Sequence, residues 1–221
     1  MLALALAGCT AERVRDPFTA TGELIALSGG DAGARRACVV CHGLGGEGDG
    51  ELAPRLAGLP AGYLVKQLQD YADGRRAHPQ MEAIAKALNG QERQAVAEYY
   101  GSLPWSPAEG AAVAEAQGRL IYHSGLAQAG APACADCHGA EGQGTGLGNP
   151  PLAGQPAGYL AAQMTHWRES RRRNDPQGVM LGISRRLSPA QAAAVSRYAA
   201  QLRSTPAAAG GAGASGPAAS P

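Results

Sequence analysis

Large apolar side chains are scarce in this chain. Among 221 residues there is one Phe and two Trp, and aromatics reach only 5%, while Gly (32) and Pro (15) are abundant. No stretch shows a convincing strand alternation. No apolar run past the first residues is long enough to cross a membrane. The formal net charge is +1, which gives no electrostatic footprint for nucleic acid. That charge is uneven. From Thr10 to Ser106 there are 10 basic and 12 acidic residues, and from Pro107 onward 9 basic and 6 acidic. The dipole this implies can steer a docking partner. Cysteine is sparse as well, with five residues, four of them in two pairs.

Those pairs organise the chain. Cys38-Val39-Val40-Cys41-His42 recurs as Cys134-Ala135-Asp136-Cys137-His138. Two cysteines and a histidine at this spacing are the attachment signature of haem c. Each thiol adds across a vinyl group, and two intervening residues let both sulfurs reach vinyls on one edge of the ring. The histidine that follows is placed to bind the iron from one face. Zinc would need two further ligands per pair, and there is no other Cys pair. A thioredoxin-like pair would need a βαβ pattern, which is missing. The sequence therefore predicts two covalent haems c, one on Cys38, Cys41 and His42, the other on Cys134, Cys137 and His138. Each haem would supply apolar mass that the side chains lack.

The surroundings of the motif repeat too. Gly22-Glu23-Leu24-Ile25 matches Gly118-Arg119-Leu120-Ile121, and Pro54-Arg55-Leu56-Ala57-Gly58 matches Pro150-Pro151-Leu152-Ala153-Gly154, all at one offset of 96. After a three-residue insertion in the second copy, Leu88 matches Leu187 and Tyr99 matches Tyr198. Two copies mean a duplicated domain. The expected organisation is a leader and tether at 1–20, domains at 21–104 and 108–203, and a tail at 204–221. Pro104-Trp105-Ser106-Pro107 reads as a short, stiff linker. The tail holds only Ala, Gly, Ser, Pro and Thr, and is expected to stay disordered.

Each copy reads as helical. A short helix precedes the Cys motif, around 23–27 and 119–123. A Gly-rich loop follows the His, where Gly permits close approach of backbone to a ligand. A second helix runs from Gly62 to about Asp73 and from Gly158 to about Ser170, with Tyr63, Leu64, Leu68 and Tyr71 on one face. The last helix begins near Gln91 and near Ser188, where Ser-Pro supplies an N-cap and a first helical Pro.

A low-spin electron-transfer haem needs a second axial ligand. Met81 and Met180 occupy corresponding places after the second helix, in a Pro-rich polar segment expected to be a loop that folds over the haem. Met164 lies mid-helix and reads as core. His123 and His166 do not recur between copies and read as surface or packing residues. His78, three residues before Met81, is the rival ligand. Arg75-Arg76 and Arg171-Arg172-Arg173 flank the Met segments; propionate pairing, partner docking and a solvated basic face are the three readings of them.

The fifth cysteine, Cys9, ends Leu6-Ala7-Gly8-Cys9 after a short apolar run. This resembles a bacterial lipoprotein processing site, with lipidation at Cys9 and a start upstream of Met1. Haem c attachment places the protein outside the bacterial cytoplasm. A multiply acylated N-terminus would anchor it to the membrane.

With CxxCH, Pro-x-Leu-x-Gly, the Tyr-Leu helix, the Arg-containing loop and the late Met in both copies, residues 21–203 resemble tandem class I cytochrome c domains, the dihaem c-four type. The resemblance implies two all-α domains with haem edges near their interface. It implies that the carbonyls of Pro54 and Pro150 accept the Nδ1–H of His42 and His138. It implies that Gly22 and Gly118 let the first helix cross closely over the last, against Tyr99 and Tyr198. Only Lys66 and Lys86 are present, so a lysine-ringed docking face is not expected. The functional expectation is a periplasmic electron carrier with no catalytic residues, passing electrons between a respiratory donor and an oxidase or reductase. A haem subunit of a dehydrogenase complex is the second reading. A dihaem peroxidase or sulfur-compound oxidase is the third, and it would need an open iron site.

Overall fold

The computed structural model describes residues 21–106 and 114–203. The expected lipidation site at Cys9, Pro107 and the small-residue tail lie outside the described residues. Among the described residues the regular structure is helical. The first half contributes α1 (Gly22–Ser28), α2 (Val39–His42), α3 (Ala61–Ala72), α4 (Pro79–Ala87) and α5 (Gly90–Ser102). The second contributes α6 (Ala116–Ser124), α7 (Ala135–His138), α8 (Ala157–Arg168), α9 (Val179–Arg186) and α10 (Pro189–Gln201). Packing repeats with the sequence. Helix α5 packs against α1 and α3, and α3 against α4; α10 packs against α6 and α8, and α8 against α9.

The first crossing is set by small residues. A Cβ on Gly22 would lie 2.0 Å from the Ala95 carbonyl oxygen and 2.7 Å from Tyr99 Cβ. On Gly118 it would lie 2.3 Å from the Ala194 carbonyl oxygen. Only glycine lets α1 and α6 seat this deeply. Around each crossing the scarce apolar residues concentrate: Ile25, Leu64, Val96 and Tyr100 in one core, Ile121, Tyr122, Leu160 and Val195 in the other. Burying one such side chain contributes about 1.5–3 kcal/mol.

Helix ends follow local chemistry. Asn89 and Glu92 form a capping box at α5, as do Ser188 and Gln191 at α10, where Pro189 takes the first helical position. The segments carrying Met81 and Met180 are the exception to the expected layout. They are helices, not loops. His78 caps α4, its Nδ1 accepting the Met81 N–H at 3.3 Å, and Pro79 starts the helix. The proline that suggested a loop is at the one helical position that tolerates it. At α9, Asp175 accepts the Leu181 N–H at 3.2 Å. Both methionines therefore lie in the first turn of a helix.

Candidate functional site

Each Cys motif is a single helical turn. Cys38 and Cys134 sit at the N-caps of α2 and α7, and His42 and His138 end them. The following loops turn back beneath the histidines: Gly48 N–H donates to the His42 carbonyl and Gly144 N–H to the His138 carbonyl, each at 2.8 Å. Both glycines have positive φ, and a Cβ on Gly48 would lie 2.5 Å from the Ala53 carbonyl oxygen. This return brings Pro54 and Pro150 alongside. His42 Nδ1 is 2.9 Å from the Pro54 carbonyl oxygen, and His138 Nδ1 is 2.9 Å from that of Pro150. A carbonyl only accepts, so each Nδ1 carries the proton and Nε2 keeps its lone pair. Burial holds both histidines below their ordinary pKa, and the proline carbonyls work against that shift. Burial also pushes the Cys38 and Cys134 thiols up to about 11, while Cys41 and Cys137 are exposed.

The histidines and the inner cysteines face a cavity of about 1420 Å³ shared by both halves. Met81 and Met180 line it too, as do His78, Met164 and His166. His78 has its Nδ1 committed to the α4 cap. Met164 packs against the second core, as a gap-filling residue does. His123 is exposed and pairs through Nε2 with the Tyr198 hydroxyl at 2.8 Å. His166 lines the shared cavity, which its lack of a counterpart in the first copy did not suggest.

The arginine runs divide. Arg75, Arg171 and Arg173 are exposed, whereas Arg76 and Arg172 are 4% and 5% exposed. The solvated-face reading fails for these two. Arg76 donates to Gln67 at 2.9 Å, to the Tyr159 hydroxyl at 2.9 Å and to Gln163 at 2.8 Å. Arg172 donates to Gln163 at 2.9 Å, to Gln67 at 3.1 Å and to Tyr63 at 3.4 Å. Neither forms an ion pair among the described residues. Burial alone would raise the Tyr159 hydroxyl, yet the two guanidiniums beside it hold it below the ordinary tyrosine value. Buried cations facing an apolar cavity call for anions. The propionates of two haems supply anions of that kind, and the thiols and histidines supply the attachment chemistry. The residues therefore fit two haems c, whose carboxylates Arg76 and Arg172 would be placed to hold.

Gln67 and Gln163 were not singled out from sequence, and Tyr63 and its counterpart Tyr159 were read only as part of the second helix's apolar face. The signal was present, because each pair stands at the repeat offset and puts a polar group on an otherwise apolar helical face.

Known proteins share this arrangement. The family model described as Cytochrome c matches residues 29–104 and 116–203. The thiosulfate dehydrogenase electron acceptor of Stutzerimonas stutzeri (strain A1501) is 40% identical over 187 residues, covering 83% of this chain and 87% of that protein. The cytochrome c4 of Thiocapsa roseopersicina is 40% identical over 171 residues, covering 76% and 88%. Reduced cytochrome c4 from Pseudomonas stutzeri superposes with a TM-score of 0.69 at 34% identity, over 75% of this chain and 93% of that one. The thiosulfate dehydrogenase TsdBA of Marichromatium purpuratum superposes with a TM-score of 0.73 at 37% identity, over 85% of this chain but only 40% of that larger one.

Proposed function

Because the chain belongs to the cytochrome c family and carries a covalent haem c in each of two tandem domains, we propose that it is a periplasmic electron carrier. It takes electrons from a thiosulfate-oxidising dehydrogenase and delivers them to an oxidase or reductase. The observation that carries this reading is the pairing, in each half, of a histidine held through Nδ1 by a proline carbonyl with a methionine lining the same cavity. His42 and Met81 would hold one haem iron, and His138 and Met180 the other. When bound, each haem supplies a one-electron Fe(III)/Fe(II) couple. The thioethers favour the ferrous state and hold the potentials high. The proline carbonyls keep the imidazoles in one tautomer and orientation. With a histidine and a methionine offered to each iron, neither haem would leave a place for substrate on the metal. Cys9 tethers the domains to the membrane through its lipid.

The dehydrogenase as donor is supported by two relatives named thiosulfate dehydrogenase electron acceptor, each 40% identical to this chain. The test mixes the holoprotein with a purified thiosulfate dehydrogenase and thiosulfate, and follows haem reduction by stopped flow. Rapid reduction that requires both dehydrogenase and thiosulfate is expected; no acceleration by the enzyme would refute the donor. A stable subunit of the dehydrogenase is the second reading, favoured by the match to part of TsdBA. Co-purification with the enzyme through gel filtration distinguishes subunit from carrier. Carbon monoxide binding by the unaltered protein would reveal an open iron and favour the enzyme reading.

A further inference from the structure

The two halves do not support their axial histidines equally. Pro54, whose carbonyl accepts the His42 ring proton, is followed by Arg55, and Arg55 is gripped by the second domain. Its N–H donates to Gln155 Oε1 at 3.1 Å, and its carbonyl accepts from Gln155 Nε2 at 2.9 Å. One glutamine, 4% exposed, thus closes both backbone groups of the residue next to the histidine's acceptor. The Arg55 side chain, fully buried, holds the same place. Its guanidinium donates to the Ala57 carbonyl in its own domain and to the Ala153 carbonyl in the other, the latter at 3.1 Å. It lies 3.9 Å from the centre of the Trp105 ring. That ring rests on the second domain, where a Cβ on Gly154 would lie 2.0 Å from Trp105 Cζ2. A cation stacked on an aromatic face in a desolvated site is held firmly. Among the described residues Arg55 has no carboxylate partner and its Nε has no partner at all.

The grip runs one way. At the repeat offset of 96, Arg55 corresponds to Pro151, which has no N–H, and Gln155 corresponds to Leu59, which has no amide. The first domain cannot return the clamp to the segment beside His138.

We propose that Arg55 and Gln155 are positioning residues through which the second domain fixes the Pro54 carbonyl on His42, so that domain contact sets the potential of the first haem and leaves the second untouched. The proposal rests on His42 as an axial ligand. A well-held Nδ1–H···O bond makes the imidazole more basic, which favours ferric iron. Releasing the carbonyl weakens that bond and moves the first potential upward.

The experiment uses the full holoprotein and its Gln155→Leu variant, which copies the first-domain residue. Haem resonances followed by NMR through a redox titration resolve the two midpoints. The expected result is a more positive first midpoint and an unmoved second. The His42 ring N–H should exchange with solvent on the order of tenfold faster, the loss of about one net hydrogen bond. Equal shifts of both midpoints, or none, overturn the proposal. Unaltered protein gives a second reading that needs no variant: the His42 ring N–H should exchange more slowly than that of His138, and the reverse order overturns the proposal. Loss of the low-spin spectrum in unaltered protein would refute the axial assignment as well. An intact low-spin spectrum with an unmoved first midpoint refutes only the role of Gln155.

Discussion

Arg76 and Arg172 meet backbone to backbone across the two domains, in a single antiparallel bridge. Ala77 N–H donates to the Arg171 carbonyl at 2.8 Å, and Arg173 N–H to the Arg75 carbonyl at 2.7 Å. The bridge lays both guanidiniums into the shared cavity, on a common set of glutamine and tyrosine partners. Asn174, in the segment that is longer in the second copy, adds bonds to Gln67 at 2.9 Å and to Asp70 at 2.8 Å.

Replacing one of these cations tests whether they act on the haems. Arg172→Met keeps much of the volume and removes the charge. A cation near iron disfavours the ferric state, so both midpoints should fall, by ~60 mV if the one-electron equilibrium changes about tenfold. Potentiometric titration measures this; unchanged midpoints would place the arginines outside the haems' electrostatic reach.

The proposed ligand Met81 predicts a selective lesion. Met81→Ala should turn one haem high-spin and open to carbon monoxide, with its midpoint lowered, while the other keeps its spectrum. Optical titration with carbon monoxide should saturate at one ligand per chain. Two low-spin haems in this variant would bring forward His78 as the ligand, through its Nε2.

Much of this layout was legible because covalent haem attachment needs contiguous residues, and contiguous residues survive in sequence as a motif. The repeat offset then placed helices α1, α3 and α5 and their second-copy partners. Helix α4 was hidden because Pro79 weighs toward a loop unless the first helical position is considered, and α9 because Pro176 and Gly178 stand just ahead of it. The junction was hidden for a different reason. Arg76 lies 83 residues from Tyr159 and Gln155 lies 100 from Arg55. No local pattern encodes which polar groups meet over such separations, and Trp105 in a proline-flanked stretch gave no sign that it carries a buried guanidinium.

Helix crossing gives a stability prediction. Gly22→Ala places a methyl 2.0 Å from the Ala95 carbonyl oxygen, so α1 must lift away from α5. Overpacking of this kind costs about 1–3 kcal/mol. The first domain should melt several degrees lower, at about 4–8 °C per kcal/mol for a domain of this size. Calorimetry on the holoprotein would record it, and an unchanged melting temperature would mean the crossing tolerates the methyl.

Asp49 gives a pH prediction. Its carboxylate accepts the N–H groups of Glu51, Leu52 and Ala53, each at 2.8 Å, and the bond from Glu51 leads in holding it below the ordinary aspartate value. The stabilisation is complete above the unfolded value of about 3.9 and disappears as pH falls through the lower folded value. Asp49→Asn retains an acceptor oxygen without titrating. Its melting temperature should therefore vary less with acid than that of the unaltered protein; parallel curves would show that the loop does not depend on the charge.

The junction has one further property. Arg76 touches Tyr159 and Gln163, and Arg172 touches Tyr63 and Gln67, so exchanging the halves maps the contact onto itself. Two separate copies of one polypeptide make isologous contacts of this kind about a dyad. Here the linker makes the pair covalent, and its assembly does not depend on concentration. In a homodimer every substitution at the dyad would strike twice. In the fused chain it strikes once, which is what allows Gln155 to face Arg55 while the equivalent positions hold Leu59 and Pro151.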